Sequence, residues 1–372
     1  MRKIIYLDYS ATTKPDEKVL DYFNEIVTNY WNNSNSNYYL AKEAKKIVDS
    51  SIKNIENYFN SDNHEVIFTS GASEANNLAI KGITNNSRKQ IITTELEHSS
   101  IFGPIGYLQK QGYEIKFVNL TKDGLVDIKH LESLINDETL LVTIGAVDSE
   151  IGIRQPIEEI GELLKQHPNV YFHSDITQVV GKDQVDINNI DLASFSGHKI
   201  YGFKGIGGLI KKKAIKLTPL IHGGKSTTVY RSGTPSTELI GSLSESFNLF
   251  KDSLEDKYQY VKKLNNQLRD ELVKLSNVYI NSNEYALPHI LNVSIVGFNS
   301  NDTQKYFEKH HIFISTKTAC ASNTHLSKSV LALTNDEGRA ESSVRISISY
   351  KTTEEEINQF IKVLKEYLKE NN

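Results

Sequence analysis

The sequence predicts an α/β protein: a large domain built on a mostly parallel sheet, joined to a smaller α+β unit. Three observations carry this. Between about residues 40 and 250, seven short apolar runs alternate with amphipathic stretches, the rhythm of strands connected by covering helices. Near residue 252 the texture changes to one long helical period. Beyond it, three further apolar runs precede a terminal helix without the earlier alternation.

Taken in order, the clearest early helix is 41–58, with Ala44, Val48, Ile52 (or Ser51), Ile55 and Phe59 on one face. Strands are expected at 66–69, 91–94, 115–118, 140–144, 170–173, 192–195 and 206–210. A helix begins at Pro156, a residue suited to a first turn, and runs to Leu164. Leu254, Tyr258, Val261, Leu264, Leu268, Leu272 and Leu275 recur three or four apart and mark the start of the smaller unit. Its strands are expected at 290–295, 313–316 and 344–348. The last helix opens on Thr353-Glu-Glu-Glu356, which matches a capping box. Residues 15–252 are thus assigned to the large domain, and 1–14 with 253–372 to the small one. The stretch 318–342 is polar and weakly patterned and is expected to be a mobile loop. Some ~20 flexible residues span roughly 20–25 Å.

Charge is close to balance in the 372 residues, with 42 Lys and Arg against 46 Asp and Glu. No global field therefore draws the protein to nucleic acid or to an acidic membrane. The N-terminal apolar run meets Asp8 too soon for a signal peptide. No run approaches the ~20 apolar residues of a membrane helix. The expected location is the cytoplasm.

Four places carry chemistry. At 66–78 a strand ends, small residues turn and a helix starts; its unpaired N–H groups with the Ser73 hydroxyl suit a phosphate, or form a serine-capped turn. The glycine-rich dinucleotide fingerprint is absent. Asp175 falls at the carboxyl end of a strand, where open sheets collect ligands; it suits a protonated ring nitrogen such as that of pyridoxal 5'-phosphate (PLP), or a helix cap. Lys199 lies in Ser196-Gly-His-Lys199, a loop directly after the next strand, where an amine is accessible for Schiff-base chemistry. Fourth, Cys320 pairs with Arg345. The chain's only cysteine is flanked within four positions by Thr, Lys, Ala, Ser and Asn alone, whereas cysteines kept for packing sit among aliphatic residues. It is a nucleophile or a bystander, since a lone thiol forms no intrachain disulfide or CxxC pair. Arg345 is placed to clamp a carboxylate across the cleft between domains, or to form a structural ion pair.

Seven strings in order resemble the PLP-dependent cysteine desulfurases, a class V aminotransferase group of fold-type I enzymes: LDYSATT, TSGASEANNLAIKG, ELEH ending at His98, SDITQ, SGHKIYGFKG, RSGT at 231–234 and TAC at Cys320. The resemblance implies a fold-type I architecture and removal of sulfur from L-cysteine to give L-alanine. It implies Lys199 as the Schiff-base lysine, Asp175 against the pyridinium nitrogen, Gln178 against the phenolic oxygen, and His98 stacked on the ring and shuttling protons. Ala72, Ser73, Ser196 and His198 would hold the phosphate, joined by Thr234 from a second subunit, so a homodimer is expected. Arg345 and Ser149 would meet the substrate, and Cys320 would take its sulfur as a persulfide. With no second cysteine to resolve it, that sulfur passes to another molecule, an iron–sulfur scaffold or a tRNA-thiolating enzyme. A neutral thiol with a pKa of ~8.5 needs help to ionise, and Lys317 as a solvated charge supplies only about 1 kcal/mol, which leaves the larger part to substrate or His98.

Four departures from the family pattern stand out. Ser149 replaces an asparagine, His222-Gly-Gly-Lys-Ser-Thr-Thr-Val-Tyr230 replaces a Gly-Gln-Glu run, 33–38 lacks an Asn-Pro and a downstream histidine, and Phe203 replaces a proline. The 222–230 stretch is no P-loop, because Pro219 occupies the required first glycine. Ser149 and the altered 225–230 stretch motivate one rival reading, a weakly active paralogue that serves as an interaction partner; a second, a related PLP lyase or aminotransferase, is opposed by Cys320, since a transaminase needs no thiol.

Overall fold

The computed structural model describes residues 3–84, 86–316 and 326–371. The chain opens on β1 (Ile5–Tyr6), α1 (Glu17–Asn29) and α2 (Tyr39–Tyr58). Strands and helices then follow one another: β2 (His64–Thr69), α3 (Ala72–Gly82), β3 (Gln90–Thr93), α4 (Ser99–Gln109), β4 (Glu114–Phe117), α5 (Ile128–Leu134), β5 (Thr139–Thr143), α6 (Ile157–Leu164), β6 (Tyr171–Asp175), β7 (Leu192–Ser196) and β8 (Gly207–Lys212). Helices α7 (Thr237–Asn248) and α8 (Leu254–Leu272) lead to β9 (Val278–Ile280), β10 (Ile290–Ile295), α9 (Ser300–Lys309), β11 (Ile312–Phe313), α10 (Lys328–Thr334), α11 (Glu337–Glu341), β12 (Ser343–Ser347) and α12 (Glu354–Glu370).

The main sheet has seven strands in the order β2-β8-β7-β6-β5-β3-β4. Only β8 runs against its neighbours β2 and β7; the other pairings are parallel. Alternation along each strand builds a core on either face. Val66, Phe68, Ile92, Val142, Ala193 and Ile210 pack on one side with residues of α2, α6 and α7, while Ile67, Ile91, Leu141, Leu192 and Leu209 pack on the other with α3 and α4. Both faces are covered, which is why the strands read as continuous apolar runs. In α2 the buried stripe is Ala41, Ala44, Val48, Ser51 and Ile55, so Ser51 and not Ile52 takes the inward position.

A separate core holds β9, β10 and β12, an antiparallel sheet, against α8 and α12. Ile5 and Leu7 belong to it, because β1 pairs with β11 in parallel. The proposed division into 15–252 and 1–14 with 253–372 rests on this core. Strand β11 stops short of the expected 313–316, but Ser315 still bridges Arg345 of β12. The expected capping box at Thr353 and Glu356 is present in both directions.

The expected loop at 318–342 is corrected over its second half. Residues 328–334 and 337–341 are helices, capped by Ser327 on the Val330 N–H and by Asp336 on the Arg339 N–H. Val330 and Ala340 anchor them against Ile151 and Ile153. Helices of seven and five residues with so few buried positions show no period in the sequence. A flexible tether of ~20 residues therefore does not exist, since these helices occupy much of it. Cys320 itself lies outside the described residues. Among those described, no helix is long and apolar enough to cross a membrane.

Candidate active site

The carboxyl ends of β2, β3, β5, β6 and β7 point the same way, and a cavity of about 410 Å³ opens beyond them. That is where an open parallel sheet gathers ligands. Two larger clefts, about 1150 and 1030 Å³, are surface grooves lined largely by charged and amide side chains, and neither contains a candidate catalytic or binding residue from the sequence.

One wall is the turn from β2 into α3. Gly71 has φ +150 and ψ −178, a conformation that glycine alone adopts readily. Gly207 lies beneath it: a Cβ there would come within 2.5 Å of the Phe195 carbonyl oxygen and 2.7 Å of Gly71 Cα. The first turn of α3 can therefore approach the ends of β7 and β8 closely. Ala72 and Ser73 present first-turn N–H groups that have no partner within the helix. Ser196 and His198 line the same cavity. His198 pairs through Nδ1 with the Thr12 hydroxyl at 3.0 Å, and burial together with the charge of Lys199 pushes it down to about 4, so the ring is neutral.

Lys199 follows β7 in a single turn of 3-10 helix. Its amine donates to the carbonyl oxygens of Ser10 and Ala11 in the N-terminal segment. Asp175 ends β6; it accepts from Asn76 Nδ2 at 2.8 Å and from the Thr177 N–H at 3.0 Å. Gln178, one turn on, donates to the Ser10 carbonyl at 3.0 Å and accepts from Lys182 Nζ at 2.6 Å. His98 caps α4: Ser100 N–H donates to its Nδ1. The neutral ring thus carries its proton on Nε2. Burial lowers its pKa, helped by Lys199 and opposed by Asp175.

Arg345, 2% exposed on β12, donates to Asp8 at 2.7 Å and to the Ser149 carbonyl at 2.8 Å. Its Nε is buried and has no hydrogen-bond partner among the described residues. The structural ion pair is therefore present, at a residue that also lines the cavity. Thr234 is exposed and does not line the cavity. The 222–230 stretch forms neither strand nor helix, so no nucleotide-binding loop is built there.

Sequence reasoning missed several groups. Glu97, within ELEH, accepts from the Thr94 hydroxyl and the Gly145 N–H at the cavity floor. Burial raises its carboxyl to about 8, with Asp175 and Asp148 adding to the rise. Asp148 and Glu150, beside Ser149, accept the hydroxyls of Ser329 and Ser327 and so tie α10 to the cavity rim. Burial and the neighbouring Glu150 push Asp148 up to about 6. Asp8 appears in the LDYSATT string, but nothing local shows that it meets Arg345.

The donor set fits PLP. First-turn N–H groups and hydroxyls suit its phosphate, Asp175 its ring nitrogen, and Lys199 its aldehyde. Thr177 also lines the cavity, and its buried hydroxyl has no hydrogen-bond partner among the described residues.

The aminotransferase class-V sequence profile matches residues 5–360. The chain belongs to this family. It is 34% identical to the cysteine desulfurase IscS of Clostridium botulinum, over 100% of this chain and 96% of that one. The cysteine desulfurase IscS of Buchnera aphidicola is 38% identical, over 98% and 92%. Among solved structures, a NifS-like protein superposes with a TM-score of 0.93 at 28% identity, covering 99% of this chain and 100% of that one. Of the class-V site residues expected from the sequence, ten line one cavity: Ala72, Ser73, His98, Ser149, Asp175, Gln178, Ser196, His198, Lys199 and Arg345.

Proposed function

We infer that this protein is a PLP-dependent cysteine desulfurase that takes sulfur from L-cysteine and releases L-alanine. The observation that carries the reading is the meeting of Lys199, Asp175, His98 and Arg345 in one cavity at the strand ends, in a chain similar along its whole length to named cysteine desulfurases. PLP, when bound, withdraws electrons from the substrate's Cα and weakens its C–S bond.

The residues then divide the work. Lys199 supplies the amine that anchors the cofactor, and Asp175 holds a positive charge on the ring nitrogen, its own orientation fixed by Asn76 and Thr177. The neutral His98, with its proton on Nε2, can give that proton to a reacting atom and take one back there. Arg345, which lines the cavity, is the cation that would fix the substrate carboxylate. Cys320 Sγ, as thiolate, attacks the substrate sulfur; the S–S bond of a persulfide forms as the C–S bond breaks, and a proton returns to the carbon that becomes alanine. An acceptor of the persulfide sulfur, a homodimer with Thr234 reaching the partner's phosphate, and a cytoplasmic location complete the proposal.

The test is direct. The purified protein is expected to be yellow, and Lys199→Ala to abolish the lysine-dependent absorbance. Cys320→Ser is expected to keep that absorbance and release no alanine from cysteine. Alanine and sulfide released at the parental rate by Cys320→Ser would overturn the mechanism.

A further inference from the structure

Lys182 is a buried amine that the mechanism above does not use. It is 7% exposed and sits four residues beyond Gln178 in the run of turns that follows β6. Its amine donates to Gln178 Oε1 at 2.6 Å. Among the described residues it has no ion-pair partner, and the charges that act on it, Lys199 and Arg345, are both positive. Burial and those charges push its pKa well below the usual lysine value. A lysine so placed is unfavourable for folding, and its position needs another reason.

Gln178 supplies one. A glutamine amide has an acceptor end and a donor end of nearly equal size, and its partners decide which end faces where. Lys182 holds the oxygen. The Nε2 is thereby turned to the Ser10 carbonyl, which also accepts from Lys199. Lys182, Gln178, Ser10 and Lys199 form one chain of contacts, and its Gln178, Ser10 and Lys199 members line the cavity.

We propose that Lys182 is a positioning residue that presents the amide nitrogen of Gln178, and not its oxygen, to the phenolic oxygen of PLP. This rests on the reading of Gln178 as the contact to that oxygen. Without Lys182 the amide is free to turn, and a carbonyl oxygen facing a phenolate repels it.

The experiment compares Lys182→Met, Gln178→Ala and the double variant in PLP dissociation constant, in the pH titration of the absorbance of bound PLP, and in the melting temperature of the apoprotein. Lys182→Met is expected to weaken PLP about tenfold, the loss of roughly one hydrogen bond to a charged group, and to shift the absorbance titration. Its apoprotein is expected to melt at the parental temperature or above it, because a buried charge without an ion-pair partner is gone. In the Gln178→Ala background the same substitution is expected to change neither affinity nor titration. Additive effects, or a Lys182→Met protein with parental affinity and titration while Gln178→Ala is altered, would overturn the role of Lys182 alone. A Gln178→Ala protein with unaltered affinity and titration would overturn the reading of Gln178 as well. If Lys182→Met does not fold, Lys182→Gln, which keeps a donor, is expected to retain a PLP affinity between those of the parent and Gln178→Ala; affinity as weak as that of Gln178→Ala or weaker would count against the proposal.

Discussion

Glu97 shows what a single carboxyl at the cavity floor does to the whole protein. Its folded pKa of about 8 lies above the ordinary glutamate value, because burial disfavours the charged form. A raised pKa means that the folded state holds a proton the unfolded chain has lost, so the group's contribution is full below the unfolded value and disappears as pH rises toward 8. Glu97→Gln is expected to remove this trend. Measured on apoprotein, the melting temperature of the variant relative to the parent should climb between pH 5 and pH 8; a constant difference would mean that Glu97 is already ionised. At this scale the sequence shows Lys199 and Asp175, because each sits at a strand end or just beyond one in an unusual local string, and His98 only through the ELEH string of the family resemblance. It does not show Lys182 or Glu97, whose chemistry comes from burial, nor the pairing of Asp8 with Arg345, 337 positions away in the chain.

Turns and helix starts decide how the cofactor end of the cavity is shaped. Gly207 pairs with Thr69 on one side and Ser196 on the other, so β8 lies between the two elements expected to hold the phosphate. Gly207→Ala places a methyl group against fixed backbone on both sides. Overpacking of this kind costs about 1–3 kcal/mol, and denaturant unfolding is expected to show it together with weakened PLP retention. Undiminished PLP affinity would mean that β7 and α3 can separate without harm. The strands of the main sheet were legible to within two residues because, the edge strand β4 aside, both faces are buried and the apolar runs are continuous. The helices α10 and α11 were not, because a short capped helix draws its stability from docking on Ile151 and Ile153 and not from its own period.

For the molecule as a whole, Thr234 poses the question of a second subunit. It is exposed on one chain and does not line that chain's cavity. In a homodimer, a chain with Thr234→Ala and a chain with Lys199→Ala each fail in their own assembly, yet their heterodimer contains one site with both residues intact. Co-expression is expected to restore PLP binding at parental affinity in half of the heterodimer's sites; no recovery would place Thr234 in its own chain's site or in none. The amino-acid order alone determined the α/β class, the strand-end residues of the cavity and the resemblance to cysteine desulfurases, since these depend on local periodicity and on side chains next to each other in the chain. Tertiary structure alone decided that Arg345 is held by Asp8 and Ser149 and that the Gln178 amide meets the Ser10 carbonyl. Those contacts join segments far apart in sequence, and no local pattern records a partner that only folding brings within reach.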